Sequence, residues 1–450
     1  MQSIILREKE VPVTAETDVV VVGGGPAGFA AAVAAARNKV NVTLVERYGH
    51  LGGMSTGGFV VCLMDYSYEG GQVIKGIADE LIPKLTALGA ATYPSAEERG
   101  SRKPELIEKW KGAAVTVYYD FRTQEYKDDV VRHRVVTDPE IMKCVCNQMV
   151  REAGAKLLLH SWATEAIMDG TEAKGVILHS KSGTQAILGK VVIDASGDGD
   201  MAASCGVPFE LEKSRATLQP LSLNYRVANV DVERARRFER ENSKKYWAMM
   251  ESQKEIKEFQ FDRFWDDHRK GVVIFNNVFY DMSPLSVDDL TEVEVEGRQK
   301  MLRALDFYKK HVPGFEDAYV IDTAPQIGVR ESRRITGDYV LTDHDIKACR
   351  RFDDVTAEAV SFGDYSIVCD IPYRCLLPRG LDRMLVAGKC ISMTHEAFFL
   401  TQALIPQCMA VGQAAGVAAA LAVKSKVTPR KLQVGILQRT LKEQGFYLRE

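Results

Sequence analysis

None of the nine cysteines sits in a Cys-x-x-Cys pair or at a zinc or iron–sulfur spacing, so a structural metal or dithiol centre has no ligand set here. Their odd number and mostly apolar neighbours suit reduced core thiols in a cytoplasmic protein. Cys144-Val145-Cys146 falls in a helical pattern, which separates the two thiols. Residues 1–13 alternate charged and apolar positions and lack the continuous apolar core of a secretion signal. Neither sign of charge is in marked excess. With 58 Lys and Arg against 61 Asp and Glu, interspersed for a formal net charge of −3, nothing favours nucleic acid. The longest apolar stretch, residues 404–423, is interrupted by Pro406, Gln407 and Gln413 and built largely of Ala and Gly, so it reads as a buried helix rather than a membrane span. No long Gly/Ser/Pro linker and no internal repeat divides the chain. No Ser/His/Asp constellation and no P-loop lysine motif can be singled out, which leaves hydrolase and kinase chemistry without a basis. What is present is 450 residues, 46% of them hydrophobic, enough for a large core and about two or three domains.

The most informative segment is Asp18-Val19-Val20-Val21-Val22-Gly23-Gly24-Gly25-Pro26-Ala27-Gly28, an apolar strand running directly into a G-x-G-x-x-G turn. A small-residue helix follows (29–39), then a second strand (41–45) ending on Glu46. Gly23 permits the tight turn, Gly25 lets backbone approach a pyrophosphate, and Gly28 lets the helix pack close to the strand. Pro26 and Ala27 lie in the turn before that helix and count with the glycines as cofactor-binding positions, and the helix N–H groups and dipole suit phosphate. Glu46, 18 positions after Gly28, stands where a carboxylate accepts hydrogen bonds from a ribose diol. It would repel a 2′-phosphate, so an adenine dinucleotide with a free 2′-hydroxyl is favoured over NADP.

Beyond this βαβ unit a glycine loop runs from Arg47 through Gly52, Gly53, Met54 and Ser55 to Gly58. A helix is expected over 138–153, with Thr137 as N-cap and Glu140 completing a capping box. Short strands at 156–161, 165–168, 175–180 and 185–188 read as an antiparallel meander, with Asp169-Gly170 and Ser182-Gly183 as turns. A second buried strand, 191–196, ends at Gly197-Asp198-Gly199-Asp200. Residues 207–365 differ in character: strands at 221–227 and 272–279 alternate with charged helices at 232–257 and 287–311. The apolar-strand pattern then returns at 383–388, followed by the Ala/Gly-rich helix from Pro406. Three strands of Rossmann character, far apart in sequence, each end in glycine or lead into it. The economical architecture is an α/β fold in which 1–60, 131–206 and 366–450 form one Rossmann-like nucleotide domain. Residues 61–130 and 207–365 then form an inserted α+β substrate or cap domain.

Gly197-Asp198-Gly199-Asp200-Met201-Ala202 also fits G-x-G-x-x-A, but no strand ending in an acid follows at the distance an NAD fold needs. The segments Val19–Gly28 with Glu46-Arg47, Leu51–Met54, Val192–Asp200, Gly328–Leu341, Leu385–Ala397 and Gln407–Gly416 occur in one order along nearly the whole chain. In that order they resemble the FAD-dependent oxidoreductase family with the glutathione-reductase-type two-domain flavoprotein fold. The resemblance implies FAD, bound non-covalently because no residue matches a flavinylation site, with His50 the one position to check. It also implies that Gly23, Gly25 and Gly28 hold the pyrophosphate, Glu46 and Arg47 lie at the adenosine ribose, and Gly52 to Ser55 cover the phosphates. Backbone near Ala163 would meet adenine, and Ala195, Gly197 and Asp198 would line the cofactor. Gly388 and Lys389 would lie by the ribitol, with Gln407 beneath the flavin at the start of the last helix. Many relatives end the last strand in Gly-Asp; this chain has Gly388-Lys389-Cys390, which puts the ribitol contact of that acid in doubt.

Because flavin carries the hydride chemistry, the protein has to orient a small-molecule substrate and move a proton. His395 and Glu396 lie between the last strand and the last helix, where a histidine suits acid/base work. Arg330 and Arg334, on one face if 330–334 is extended, suit a substrate carboxylate, against the alternative of salt bridges to Glu331 and Asp338. Arg226 is a further candidate cation. Asp343-His344-Asp345 looks like a metal cluster, but Thr342 or Asp343 capping a short helix explains it better, so no metal is expected. The expected activity is FAD-dependent dehydrogenation of a small organic molecule, electrons passing to oxygen or another acceptor. The alternatives are a flavin-dependent reductase of an activated alkene carboxylate and a non-enzymatic binding protein on the same fold. No membrane or nucleic-acid partner is expected, and homo-oligomerisation is left open.

Overall fold

The computed structural model describes residues 8, 10–69, 71–120, 125–212, 214–252 and 264–449. Its centre is a mixed sheet built from β1 (Val13–Val22), β2 (Val42–Val45), β3 (Lys156–Leu158), β4 (Trp162–Asp169), β5 (Glu172–Ser180), β6 (Gly183–Asp194) and β7 (Met384–Val386), parallel except where β5 pairs with β4 and β6. The strand order is β3-β2-β1-β6-β5-β4, with β7 also on β6. Val19 to Val22 have no polar face because layers cover the sheet on both sides, and all four are buried. Register pairs Val22 with Asp194 and Asp194 with Val386, so β1, β6 and β7 end side by side. The glycine-rich segments that follow these strands therefore meet at one carboxyl edge, where ligands of open α/β sheets bind.

Helix α1 (Pro26–Arg37) and the last long helix, Ile405–Lys424, lie against each other almost backbone to backbone. A Cβ on Gly412 would collide with the Ala27 carbonyl, and one on Gly416 with that of Ala31. The helix 405–424 is long and apolar enough to cross a membrane, but it is buried in this packing.

Several local expectations are revised. Strands 185–188 and 191–196 are one strand, β6, whose first half pairs antiparallel with β5 and whose second half pairs parallel with β7. Residues 156–158 do not belong to the meander; they extend the parallel sheet beside β2. Helix α2 (Pro139–Ala153) is capped by Asp138, whose carboxylate accepts from the N–H groups of Glu140 and Ile141. Thr137 instead donates to the Val61 carbonyl at 3.1 Å. The charged segment from Val232 forms two helices, Val232–Glu241 and Ser243–Ser252, and its expected end at 253–257 lies outside the described residues.

The inserted segment carries a four-stranded antiparallel sheet of Trp265–Asp266, Val273–Phe275, Tyr225–Ala228 and Tyr319–Thr323. An aromatic core of Tyr225, Phe264, Phe275, Tyr308 and Phe315 packs with it. The main core takes in Leu63, Ile77, Leu81, Ile335, Ala357 and Val360, which the sequence boundaries give to the inserted domain.

Candidate functional site

Gly23 turns the chain at φ +94°, and its N–H donates to the Val45 carbonyl at 2.8 Å. A Cβ on Gly23 would collide with the Ala195 carbonyl, and one on Gly28 with that of Gly23. These two glycines are therefore fixed by close backbone approach within the protein. Gly25 is different: the nearest atom to a Cβ there is Gly53 Cα at 3.9 Å, so its space is open. Gly25 is also the N-cap of α1, with Pro26 in the first turn and no side chain accepting from the helix N–H groups. An open approach to unpaired N–H donors at a helix start is what a pyrophosphate requires. The glycine loop docks on this turn through Gly52 N–H to the Gly24 carbonyl, 2.9 Å. Gly53–Ser55 forms a short 3₁₀ turn around Met54, tied down by Ser55 Oγ donating to Gly52 O at 2.7 Å.

Glu46 is buried at the end of β2, and both carboxylate oxygens are engaged. Oε2 accepts from Gly24 N–H at 2.5 Å and Oε1 from Tyr48 N–H at 2.8 Å. Burial pushes its carboxyl above the usual range, against the pull of these two N–H groups. Glu46 thus props the glycine turn while each oxygen keeps a second lone pair for a ribose hydroxyl. Arg47 is exposed, with its guanidinium 5.1 Å from the Tyr48 ring centroid and 5.9 Å from that of Trp162. Trp162 is 57% exposed and adjoins the buried Ala163 on β4, giving a flat surface at the expected adenine end. Replacing Glu46 by Gln removes the anion while keeping its size. A charge-assisted hydrogen bond contributes roughly 1.5–3 kcal/mol, so FAD affinity in a flavin-fluorescence titration should fall about 10- to 150-fold.

At the end of β6, Asp194 turns back to accept from Ser196 N–H and Ala202 N–H, which shapes the Ala195–Gly199 turn. The short helix that follows, Asp200–Ser204, has five residues. Lys389, next to Gly388 (φ +96°), reaches across to Asp198 Oδ1 at 2.8 Å and to Ser332 Oγ at 2.9 Å. Burial alone raises the Asp198 carboxyl, but Lys389 and Ser332 outweigh it and hold it below the usual carboxylate range. Lys389 thus pairs with a carboxylate that follows the end of the adjacent strand β6. Gln407 is buried in the first turn of the helix 405–424, and its Oε1 has no hydrogen-bond partner. That unpaired amide, on a helix start with no side-chain cap, fits a polar ring edge. The residues present fit FAD along the whole path from Glu46 to Gln407.

His395 opens a short helix, His395–Thr401, that the sequence pattern did not suggest; Thr394 caps it by accepting from Ala397 N–H at 3.2 Å. His395 Nδ1 lies 2.8 Å from Glu331 Oε1, and its side chain is 20% exposed. Hydrogen bonding to Glu331 raises its pKa above the ordinary histidine value, with burial opposing. Glu396, the next residue, is exposed on the helix surface.

The two candidate arginines do not converge. Residues 330–333 are not a strand, and only Arg334–Ile335 pairs, with Phe209–Glu210. Arg330 donates to the Pro220 carbonyl at 2.6 Å and to Asn276 Oδ1 at 2.9 Å, linking the segments before Leu221 and after Phe275. Arg334 is buried against Glu331 and donates to the Met393 carbonyl at 3.2 Å. Arg226 forms a bidentate pair with Asp322, at 2.9 and 2.6 Å. Each of these guanidinium groups donates within the fold, Arg334 and Arg226 to carboxylates and Arg330 to neutral oxygens, and they do not converge on one point. Asp345 closes a capping box with Thr342 and pairs with Arg350, and among the described residues no His/Cys/Asp/Glu cluster suits a metal ion. Cys390 is buried, which pushes its thiol well above the usual value.

Glu331 and Ser332, which the sequence reading did not single out as site residues, adjoin His395 and the Asp198–Lys389 pair. Glu331 was legible only as an arginine partner, and nothing in a chain separation of 64 residues marks it as His395's neighbour. Ser332 likewise meets Asp198 and Lys389 only through the fold.

The chain matches the model of a family described as FAD dependent oxidoreductase over residues 18–369 and 368–441. No curated protein matches it. Among solved structures, a geranylgeranyl bacteriochlorophyll reductase-like protein from Thermoplasma acidophilum shares 14% identity at a TM-score of 0.49, over 96% of this chain and 84% of that one. The flavin-dependent brominase Bmp2 shares 12% identity at 0.48, over 95% and 83%. OxyS anhydrotetracycline hydroxylase from Streptomyces rimosus shares 13% identity at 0.45, over 95% and 66%. Likeness this distant carries no argument about reaction or substrate. The family match spans nearly the whole chain, and the glycine cradle, Glu46 and the open Gly25 approach lie within it: this chain belongs to the family of FAD-dependent oxidoreductases.

Proposed function

We propose that the protein dehydrogenates a small organic substrate, with His395 as the base that accepts the proton. When bound, FAD supplies the hydride acceptor. The observation that carries the reading is the placement of His395. It stands in the connection between β7 and the helix 405–424, at the carboxyl edge of the sheet where Gly25, Asp198 and Lys389 also lie. Its ring is partly exposed and turned through Nδ1 onto a buried carboxylate, which leaves Nε2 available to a bound substrate.

The step balances with one base. The substrate carbon loses hydrogen with its electron pair, and the neighbouring hydroxyl or amine loses its proton to His395 Nε2. A C=O or C=N bond forms, and the electrons leave later to oxygen or another acceptor. Reduction of an activated alkene carboxylate finds less support, because Arg330 and Arg334, the cations that would hold its carboxylate, already donate to groups within the fold. An anaerobic screen of alcohols, amines and hydroxy acids for bleaching of the bound flavin tests the reading. Bleaching by one class of reduced substrate, with the matching carbonyl product, supports it. Flavin that is bleached by none of them but re-oxidised by an alkene carboxylate after chemical reduction overturns it.

A further inference from the structure

The groups around His395 make an unusual arrangement for a merely structural ion pair. Glu331 is fully buried, and one of its oxygens, Oε1, accepts from Arg334 and lies 2.8 Å from His395 Nδ1. Its other oxygen, Oε2, is buried with no hydrogen-bond partner. A buried carboxylate kept only for stability would be expected to have both oxygens satisfied, since an unpaired buried acceptor is costly. Replacing such a pair by apolar side chains is often neutral or stabilising.

We propose that Glu331 is a positioning residue. It holds His395 in the tautomer with the proton on Nδ1, orients the ring, and leaves Nε2 as the atom that takes the substrate proton, while Arg334 pairs with the same carboxylate oxygen. The inference rests on the reading of His395 as the base. A neutral imidazole whose Nδ1–H donates to a carboxylate has an unprotonated Nε2 by necessity. The bond ties the inserted segment to the nucleotide domain, so the base is oriented from across that junction.

The charged surroundings of His395 are few. Glu212 Oε1 is 3.9 Å from Nδ1 and 3.5 Å from Arg334, and Glu210 is 3.8 Å from Arg334. The helix Asp343–Lys347 packs on the helix His395–Thr401, but Asp343 pairs with Lys347 and Asp345 with Arg350, while His344 is exposed. Glu396 points to solvent. Glu331 is thus the dominant neighbour, in keeping with the raised pKa of His395. The sign follows directly. A raised pKa keeps His395 protonated further up the pH scale, so flavin reduction should rise with pH through an inflection above the ordinary histidine value.

The test compares holoenzyme carrying Glu331→Gln, and the neutral double exchange E331Q/R334M, with the unaltered protein. The double exchange avoids stranding the Arg334 charge if the single variant folds poorly. In stopped-flow reduction the inflection should move to lower pH in both variants. The plateau rate should fall about 10²-fold, within the roughly 10⁴-fold known when a carboxylate behind a catalytic histidine is removed. Nitrogen-15 histidine NMR of the holoenzyme should show His395 with Nδ1 protonated, and its titration moved to lower pH in the variants. An unmoved His395 titration, or a His395 protonated on Nε2 in the unaltered protein, overturns the inference. A moved titration with unchanged reduction rates upholds Glu331 as the residue that positions His395 and instead overturns His395 as the base.

Discussion

His395→Ala should slow substrate-dependent flavin reduction by about 10²–10⁴-fold, the usual share of a positioned acid/base group, while FAD stays bound. The two halves separate because of where His395 sits. Its ring bonds Glu331, not the glycine turn, Glu46 or the Asp198–Lys389 pair, so its loss leaves the cofactor path intact. It does leave Glu331 with Arg334 as its remaining partner, so some loss of thermal stability accompanies the change. The flavin absorbance spectrum and the amount of FAD released on denaturation check retention, and single-turnover reduction checks the chemistry. A reduction rate near that of the unaltered protein, with FAD fully bound, would place the proton transfer on another group.

The glycines of the turn should respond in two different ways. In Gly28→Ala the new methyl group meets the Gly23 carbonyl oxygen directly, inside the packed junction of α1 and β1. Neither backbone can yield without moving the strand, so the variant should misfold or lose much of its thermal stability, beyond the ~1–3 kcal/mol typical of overpacking. In Gly25→Ala the methyl group enters open space, and φ is −66°, a value any residue adopts. That variant should fold and melt near the unaltered protein. The methyl then occupies the approach to the helix N–H groups, and an overpacking cost of ~1–3 kcal/mol corresponds to FAD binding weakened about 5- to 150-fold. Apoprotein melting and FAD titration of both variants distinguish the two roles. Equal loss of stability in both would mean that Gly25 is structural too.

The sequence by itself determined the nucleotide-binding half to a large extent. The Val19–Gly28 strand and turn, Glu46, the loop from Gly52 and the returning strand at Met384 are local patterns. Each is set by short-range demands: a positive φ at Gly23, an apolar run in a covered sheet, a proline in a first helical turn. Such demands act over a few residues and leave a mark in any single sequence. They implied FAD and the segmented domain before any contact was known.

Other features had no local mark. The fusion of two expected strands into β6 depends on which partners lie beside each half, and the transfer of residues 156–158 to the parallel sheet depends on β2 being near. The arginines could be read as substrate clamps because a guanidinium looks the same in sequence whether it faces a ligand or a carbonyl. Only the placement of Pro220, Asn276 and Glu331 decided that these sites are occupied from within. The same holds for Lys389 and Asp198, 191 residues apart, and for His395 and Glu331, 64 apart. Chain separation carries no trace of such meetings. Local conformational rules marked the glycine turn and Glu46, whereas the His395–Glu331 pair exists only because two segments distant in sequence pack together, a long-range contact that the tertiary structure alone creates.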